Sequence, residues 1–286
     1  MNIGEKIKNL RTSKMMTQKE LSGDVITRNM LSQIETGTAL PSLQSLIYLA
    51  NRLGVQPGYL LTEGDTSEMY YRKYANYSNI ISSFKSKEWK ICRDLCISCL
   101  ADGSDNEITY MLASSAYHIG VSCFSKGELK KAERMFEEAL EYALMTAFDT
   151  GCINSCIGAH SELMASISPS LAMDIPDTVS DSICSCDICK FTANIFGEKP
   201  NVKDERWKNA NYSHALAANS LMKKENYEAA MGLLSQIYDD NSLPKPILYM
   251  VLDSLEKCCK ETEDFKGAYD FSQAKIQLFE KMLIDT

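Results

Sequence analysis

The sequence lacks long apolar runs and any extended stretch with the alternating pattern of strands. No segment approaches the roughly 18 apolar residues that a membrane-spanning helix needs. The N-terminus, MNIGEKIKNLRTSK, has charges among its apolar residues and no signal-peptide core, so we expect a cytoplasmic protein. Beyond residue 65, the prolines and glycines fall between helical patterns. These shortages predict an all-α fold.

Sequence motifs of catalysis are also missing. There is no phosphate-binding glycine loop, no G-x-S-x-G nucleophile motif and no HExxH metal motif. The three histidines, His118, His160 and His214, stand alone in helical patterns, where we expect them to pack or to lie on the surface. We therefore expect a protein that is not an enzyme.

Positive charge is scarce over most of the chain, whose net charge is −8. Residues 1–65 hold seven Lys/Arg and six Asp/Glu, whereas the remainder holds 23 basic and 32 acidic residues. Affinity for nucleic acid depends on local positive charge. Only the N-terminal part is therefore suited to bind DNA, and its weak charge favours binding as one half of a dimer.

Residues 1–65 carry the signals of five short helices. The spacing of Ile3, Ile7 and Leu10 predicts a helix over 3–13. Thr17 and Glu20 form a capping box that starts a second helix, in which we expect the apolar side chains to face inward (Leu21 and Val25). Thr27 is an N-cap for a third helix over 28–35, which Gly37 ends. A fourth helix begins after Pro41 and Ser42, has the apolar stripe Leu43, Leu46, Ile47, Ala50 and Leu53, and ends at Gly54; Pro57 opens the last turn.

The third helix has a polar face opposite its apolar residues, Leu31 and Ile34. Amide side chains there can pair with adenine, and Arg28 can reach a guanine or a phosphate. Gln18, at the start of the second helix, is placed to hold a phosphate. Any surface helix has a polar face, but five helices with caps and stops in register favour a helix-turn-helix DNA reader. The residues expected to contact DNA are Gln18, Thr27, Arg28, Asn29, Ser32, Gln33 and Thr36.

Residues 4–61 resemble the lambda-repressor-like (XRE-type) helix-turn-helix domain. The resemblance rests on Thr17-Gln18-x-Glu20-Leu21, Leu31-Ser32-Gln33-Ile34-Glu35-x-Gly37, Pro41-Ser42-Leu43 and Leu53-Gly54-Val55. It implies that Arg28, Asn29 and Gln33 read bases, and that Arg11 and Glu35 form an internal ion pair. Between Leu21 and Thr27 the chain is one residue shorter than the common pattern and lacks the usual turn glycine. That form is similar to the one in RRNPP-type peptide-pheromone receptors.

Beyond residue 65 a short pattern recurs four times. Each copy has a turn, a large apolar residue and a small residue three positions later, as in Gly127-Glu-Leu129-Lys-Lys-Ala132. The other copies centre on Trp89, Tyr227 and Phe265. The pattern resembles the hinge of a tetratricopeptide (TPR) repeat, and such helix pairs stack into a superhelix with a concave face. The best copy spans 113–146, and a degenerate copy is expected over 149–176, around Ala172.

Projection of the repeat predicts which residues face the groove. Aromatic rings and an asparagine suit a short extended peptide, because the rings offer pockets and the amide pairs with backbone groups. The alternative is that these residues only pack helices together. The residues expected to bind peptide are Tyr77, Tyr117, Tyr212 and Asn219.

The eleven cysteines are expected to be free thiols in a reducing cytosol. Cys184, Cys186 and Cys189 have a spacing that can bind metal, but no fourth ligand is adjacent. Cys152, Cys156 or His160 would supply one only if the chain folded back. Cys92, Cys96 and Cys99 occupy core positions of a repeat helix, so the chain uses cysteine as a small core residue. We therefore expect no metal and no cofactor, and whether this cluster binds metal stays open.

Together these observations predict an all-α protein with two domains. Residues 1–64 would be a five-helix lambda-repressor-like DNA-binding domain, and residues 65–286 a TPR-like α-solenoid that dimerises. The partners expected are double-stranded DNA with a palindromic operator, a second copy of the chain and a short peptide effector, which the RRNPP resemblance implies together with a role in quorum sensing. Two alternatives stay open: a scaffold or antirepressor whose effector is a protein, and a repeat domain that acts on a response regulator.

Overall fold

A computed structural model describes residues 2–61, 66–100, 105–175, 184, 186–196, 207–239 and 243–284, without the side chains of 66–75. These residues form helices, turns and loops, with no strand among them. The chain divides into two compact units. One comprises Met1–Ser86 with Leu95–Gly103, and the other Lys87–Asp94 with Ser104–Thr286. The domain boundary predicted between residues 64 and 65 lies outside the described residues.

The first unit begins with five short helices, as the sequence predicts. They are α1 (Ile3–Ser13), α2 (Gln18–Ser22), α3 (Arg28–Glu35), α4 (Leu43–Leu53) and α5 (Pro57–Leu61). The capping box at α2 and the Thr27 cap of α3 are both confirmed, with the Thr27 hydroxyl accepting from the Met30 N–H at 3.1 Å. Gly54 ends α4 in the left-handed conformation. The longer helix α6 (Thr66–Lys85) follows.

The core of these five helices is smaller than the apolar pattern predicts. Leu21, Leu31 and Leu49 are fully buried, but Val25 is 61% exposed. The inward placement of Val25 is wrong because α2 ends at Ser22, which leaves Val25 in the turn. Leu43 and Ile47 are also exposed, since only the face of α4 that carries Leu46, Leu49, Ala50 and Leu53 meets the core.

The turn between α2 and α3 contains a glycine after all. Gly23 has φ +51°, and a Cβ there would collide with the Tyr48 hydroxyl, which donates to the Ser22 carbonyl at 3.1 Å. Glycine is the residue that adopts this conformation at no steric cost. The shortened segment therefore keeps a glycine turn, and this turn sets how α3 leaves α2.

The second unit is built from paired helices. Its pairs are α8 (Asn106–Lys126) with α9 (Leu129–Met145), α12 (Ala210–Met222) with α13 (Tyr227–Tyr238), and α14 (Lys245–Glu261) with α15 (Phe265–Leu283). Between the first two pairs lie α10 (Gly151–Ile167) and α11 (Asp187–Phe196). Helix α7 (Trp89–Cys99) contributes residues to both units.

The recurring sequence pattern is confirmed as a repeated turn. Its large apolar residues are the first residues of α7, α9, α13 and α15. In every copy the residue two positions before the helix start has positive φ. These four residues, of which only one is glycine, are Lys87, Gly127, Glu225 and Glu263. The small residue three positions after the helix start is buried in each copy: Cys92, Ala132, Ala230 and Ala268. The repeat is therefore one backbone geometry used four times.

The degenerate repeat copy predicted around Ala172 is wrong. Residues 151–167 form one helix, α10, and Ala172 follows a short 3-10 turn, Pro169–Leu171, in extended conformation. The helix that packs on α10 is α11, which begins only at Asp187. None of the described helices is long and apolar enough to cross a membrane.

Candidate functional site

Helix α3 presents polar side chains to solvent on the side away from its core residues. Arg28, Asn29 and Gln33 are exposed, whereas Leu31 and Ile34 are at most 1% exposed. The side chains of Arg28, Asn29 and Gln33 are thus accessible to a partner. Whether they contact DNA stays a prediction.

A buried carboxylate holds α3 to its two preceding helices. Glu35, with 3% of its side chain exposed, accepts from Arg11 Nε at 2.7 Å and from Arg11 Nη2 at 3.0 Å. Arg11 also donates to the Met16 carbonyl at 2.8 Å. The ion pair that the family resemblance implies is therefore present, and its two-point geometry fixes the angle of α1 against α3.

Gln18 is part of the same network. Its side-chain Nε2 donates to Glu35 Oε2 at 2.9 Å, and the residue is half-buried. This bond joins the start of α2 to the end of α3. The predicted phosphate contact would have to come from the other side-chain amide hydrogen or from the backbone, so the structure gives Gln18 a positioning role in addition to the expected one.

The network also shifts the ionisation of Glu35. Burial raises its pKa, but the hydrogen bonds from Arg11 and Gln18 outweigh burial and hold the pKa below its ordinary value. Glu35 is consequently ionised at neutral pH.

The hydroxyls expected to contact DNA are partly engaged inside the protein. Thr27 caps α3, and the Thr36 hydroxyl donates to the carbonyls of Ser32 and Gln33 at 3.0 and 3.2 Å. Ser32 is half-buried. Thr27 and Thr36 therefore shape the two ends of α3, and the predicted DNA contacts of all three residues stay untested.

Three of the seven basic residues in this part of the chain donate hydrogen bonds inside the protein: Lys6, Arg11 and Arg52. Lys6 is only 2% exposed, donates to the Tyr59 carbonyl at 3.0 Å and lies 5.0 Å from the centre of the Tyr59 ring. Arg52 is exposed, but its Nη2 donates to the Glu20 carbonyl. The other exposed cations that can attract phosphates are Lys8, Lys14, Lys19 and Arg28.

The second unit contains a cavity of about 330 Å³ between α10, α11, α12, α13 and α14. Its polar lining includes Asn219 and Asp253, and its apolar lining includes Phe191, Ile195 and Leu234. Asp253 pairs with Lys275 Nζ at 2.8 Å. This volume lies at the lower end of the range of ligand pockets and suits one or two side chains.

The structure does not bring the four predicted peptide-binding residues together. Tyr77 is half-buried on α6 and belongs to the first unit. Tyr212 is 8% exposed and packs edge-on against Phe191, with ring centres 5.2 Å apart. Asn219 lines the cavity. Packing therefore accounts for the position of Tyr212, and Asn219 is the residue best placed to meet a ligand.

Tyr117 lies beside a cluster of cysteines instead of the cavity. Burial, followed by the proximity of Cys156 with which it forms a hydrogen bond, raises the pKa of Tyr117. The sequence spacing indicated three members of this cluster and left the fourth open. Cys184, Cys186 and Cys189 meet Cys156 of α10, so the fold-back that a fourth thiol requires does occur.

The thiols of this cluster influence one another. Hydrogen bonds with Cys156 and Cys189 lower the pKa of Cys186 to about 2, whereas the hydrogen bond with Cys186 raises the pKa of Cys156. His160 is not among them. Its Nδ1 lies 2.6 Å from the Cys156 carbonyl, and its ring packs edge-on against Phe124 at 4.7 Å. Burial lowers the pKa of His160 to about 4.

Comparison with known proteins identifies the class of the N-terminal fold. Residues 7–60 match the helix-turn-helix family. This match covers α1 to α5 almost entirely, including the Arg11–Glu35 pair and the exposed face of α3. No curated protein matches the chain.

Solved structures also align with the chain, at low identity and low TM-score. One is PlcR of Bacillus thuringiensis in complex with the peptide PapR7 and DNA, with 15% identity, TM-score 0.27 and coverage of 99% of each chain. Another is ComR from S. thermophilus in complex with DNA and its signalling peptide ComS, with 17% identity, TM-score 0.25 and coverage of 97% of this chain and 99% of that one. Likeness at this level says nothing about the ligands of this chain.

Proposed function

We propose that this protein is a sequence-specific DNA-binding transcriptional regulator in the cytoplasm, and not an enzyme. The observation that supports this most strongly is the face of α3. Its arginine and amide side chains are exposed, and the buried Arg11–Glu35–Gln18 network holds the helix on a helix-turn-helix fold. A helix positioned in this way suits the major groove, where guanidinium and amide groups discriminate between base pairs.

The test is binding to an operator selected from random double-stranded DNA. Asn29→Ala/Gln33→Ala should reduce affinity for the selected operator to that for random DNA, because each good bidentate pair contributes about 1–3 kcal/mol of discrimination. The matched control is Asn51→Ala/Gln56→Ala, which removes the same two residue types from exposed positions elsewhere in the first unit. Undiminished specific binding by the α3 variant would refute this assignment.

The effector is proposed to be a short peptide, one of whose side chains enters the cavity beside Asn219. The cavity combines apolar walls with an amide and a carboxylate, which suits a side chain and the backbone that follows it. The second unit would then transmit peptide binding to the DNA reader of a dimer.

Calorimetry with peptides secreted by the source organism tests this proposal. Asn219→Ala should weaken binding by at least about fivefold, since an unmade hydrogen bond in a buried site costs about 1–3 kcal/mol. Ser220→Ala, at the exposed neighbouring position, should bind as the wild type does. If no peptide binds while a protein partner alters DNA binding, the effector is a protein and the cavity assignment is wrong.

A further inference from the structure

Four cysteine sulfurs converge in the second unit, and none of these four cysteines lines the cavity. The sulfur of Cys156 lies 3.4 Å from that of Cys184, 3.3 Å from that of Cys186 and 3.7 Å from that of Cys189. The sulfurs of Cys186 and Cys189 are 3.3 Å apart. All four sulfurs lie within 4.8 Å of one another. We propose that Cys156, Cys184, Cys186 and Cys189 bind one Zn²⁺ ion in a closed structural site.

The distances fit tetrahedral coordination. Zn–S bonds of about 2.3 Å place the sulfurs of a tetrahedral site about 3.8 Å apart, close to the separations observed. A disulfide would require about 2.05 Å and would join only two of the four sulfurs. A cluster of several iron and sulfide ions would place those ions between its ligands and so hold the sulfurs further apart than a single ion does.

The local structure explains why the four sulfurs meet. Cys156 is buried in the middle of α10, and α11 packs on that helix. Cys186 immediately precedes α11, and its carbonyl accepts from the Lys190 N–H at 3.1 Å, so Cys189 stands in the first helical turn. A Cys-x-x-Cys pair at a helix start directs both sulfurs to one point, and the helix dipole favours the thiolate form that a metal binds.

The other buried cysteines differ from this cluster. Cys92, Cys96 and Cys258 are 0% exposed and occupy helix-packing positions like any small apolar residue. In the cluster, four sulfurs lie within 4.8 Å of one another, and among the described residues the other cysteines form no such group. Four soft thiolates in tetrahedral arrangement select zinc or a single iron over hard cations. Zinc is the ion proposed because four protein ligands close its coordination and no redox partner is required.

Such a site would hold α11 in place. Asp187, the first residue of α11, accepts from the backbone N–H groups of Lys208 and Asn209 at 3.2 and 2.8 Å. Phe191 and Ile195 of the same helix line the cavity described above. The zinc ion would therefore tie α11 to α10 and support one wall of the cavity, although the metal proposal itself does not depend on any effector.

Elemental analysis of the full-length protein, purified under reducing conditions, tests the proposal. We expect about one zinc per chain and, after exchange with Co²⁺, the intense visible absorption of a tetrahedral thiolate site. Cys189→Ser should lose the metal, and Cys189→His should recover part of it because histidine is also a zinc ligand. Circular dichroism checks that each variant remains helical, and Trp207 fluorescence reports the surroundings of α11.

Cys152 provides the matched control. Its sulfur is 2.9 Å from that of Cys184 but is not one of the four mutually close sulfurs. Cys152→Ser should therefore keep its zinc, as should Cys123→Ser on α8. Loss of metal from Cys152→Ser with retention in Cys156→Ser would overturn the proposed ligand set. A reduced protein that holds neither zinc nor Co²⁺, and whose clustered thiols instead form disulfides on mild oxidation, would overturn the metal site itself.

Discussion

At the scale of single residues, the position of helix α3 depends on a buried charge. Glu35 is buried, and its carboxylate is matched by two hydrogen bonds from Arg11 and one from Gln18. Removing one partner of such a network leaves buried polar groups without bonds, which costs more than an exposed ion pair contributes. The residues that we propose to read DNA and the residue that positions them are therefore different, although both belong to α3.

Glu35→Gln should destabilise the first unit by about 1–3 kcal/mol at neutral pH. The pKa of Glu35 is lowered in the folded protein, so its carboxylate stabilises the fold above the ordinary carboxyl pKa of 4.5, and this contribution is lost as the pH falls through the folded value. The difference between wild type and variant should therefore close in acid. Hydrogen exchange of α1 and α3, corrected for the intrinsic rate at each pH, measures it. A difference that is constant with pH would contradict the assigned role.

Sequence analysis identified much of this residue-scale site, and its failures are physical. The Arg11–Glu35 pair and the caps depend on local sequence or family pattern, so they could be predicted. The bond from Gln18 to Glu35 could not, because it depends on how two helices cross. The sequence offered Cys152, Cys156 and His160 as possible fourth ligands of the cysteine cluster. Only the fold selects Cys156, which lies 28 residues before Cys184.

At the scale of elements, the repeats share a turn whose backbone conformation favours glycine, although three of the four copies have another residue there. Lys87, Glu225 and Glu263 adopt positive φ, as Gly127 does. A non-glycine residue pays a steric cost of about 1–2 kcal/mol in this region. The turn persists because a large apolar residue follows it and starts a helix. The small residue three positions later in that helix must pack closely against the partner helix.

Glu225→Gly should consequently stabilise the second unit by about 0.5–1 kcal/mol, since relief of steric strain exceeds the added freedom of the unfolded chain. The matched control is Glu228→Gly, three residues later in the first turn of α13, which should cost about 1 kcal/mol. Urea unfolding followed by tryptophan fluorescence measures both, because Trp89 and Trp207 belong to the second unit. Destabilisation by both changes would show that the turn carries no strain.

The apolar pattern of the elements predicted helix positions better than burial. Helices α1 and α3 have the predicted bounds, yet Val25, Leu43 and Ile47 are exposed where the pattern placed them inside. An apolar stripe indicates which face of a helix is apolar. It does not indicate how much of that face the neighbouring helices cover. For the same reason the repeat turns could be located, whereas the burial of Tyr212 against Phe191 and the position of Tyr117 beside the cysteines could not. Their predicted peptide contacts stay untested.

At the scale of the whole molecule, the distribution of charge favours binding of DNA as a dimer. The residues after 65 are net acidic, and the exposed cations of the first 65 are few. Because each phosphate contact adds to affinity in a salt-dependent way, a single reader of this kind binds weakly. Two readers on a palindromic operator, with half-sites about 34–36 Å apart, would combine their contacts.

Sedimentation of the purified chain should therefore give twice its mass of 32.0 kDa, both free and on an operator. A footprint on that operator should show two related half-sites about one helical turn apart. A chain that sediments as a monomer at concentrations that saturate the operator, with protection of a single half-site, would contradict dimeric binding.

If side chains of α3 read bases, a change in the preferred base tests this more directly than a loss of binding. Gln33→Arg should change the sequence selected from random DNA at one position in each half-site, from A·T to G·C, because an amide pairs with adenine and a guanidinium with guanine. Positions read by other residues should stay the same. Selection of an unchanged sequence by a folded Gln33→Arg protein would contradict the claim that this helix reads the operator.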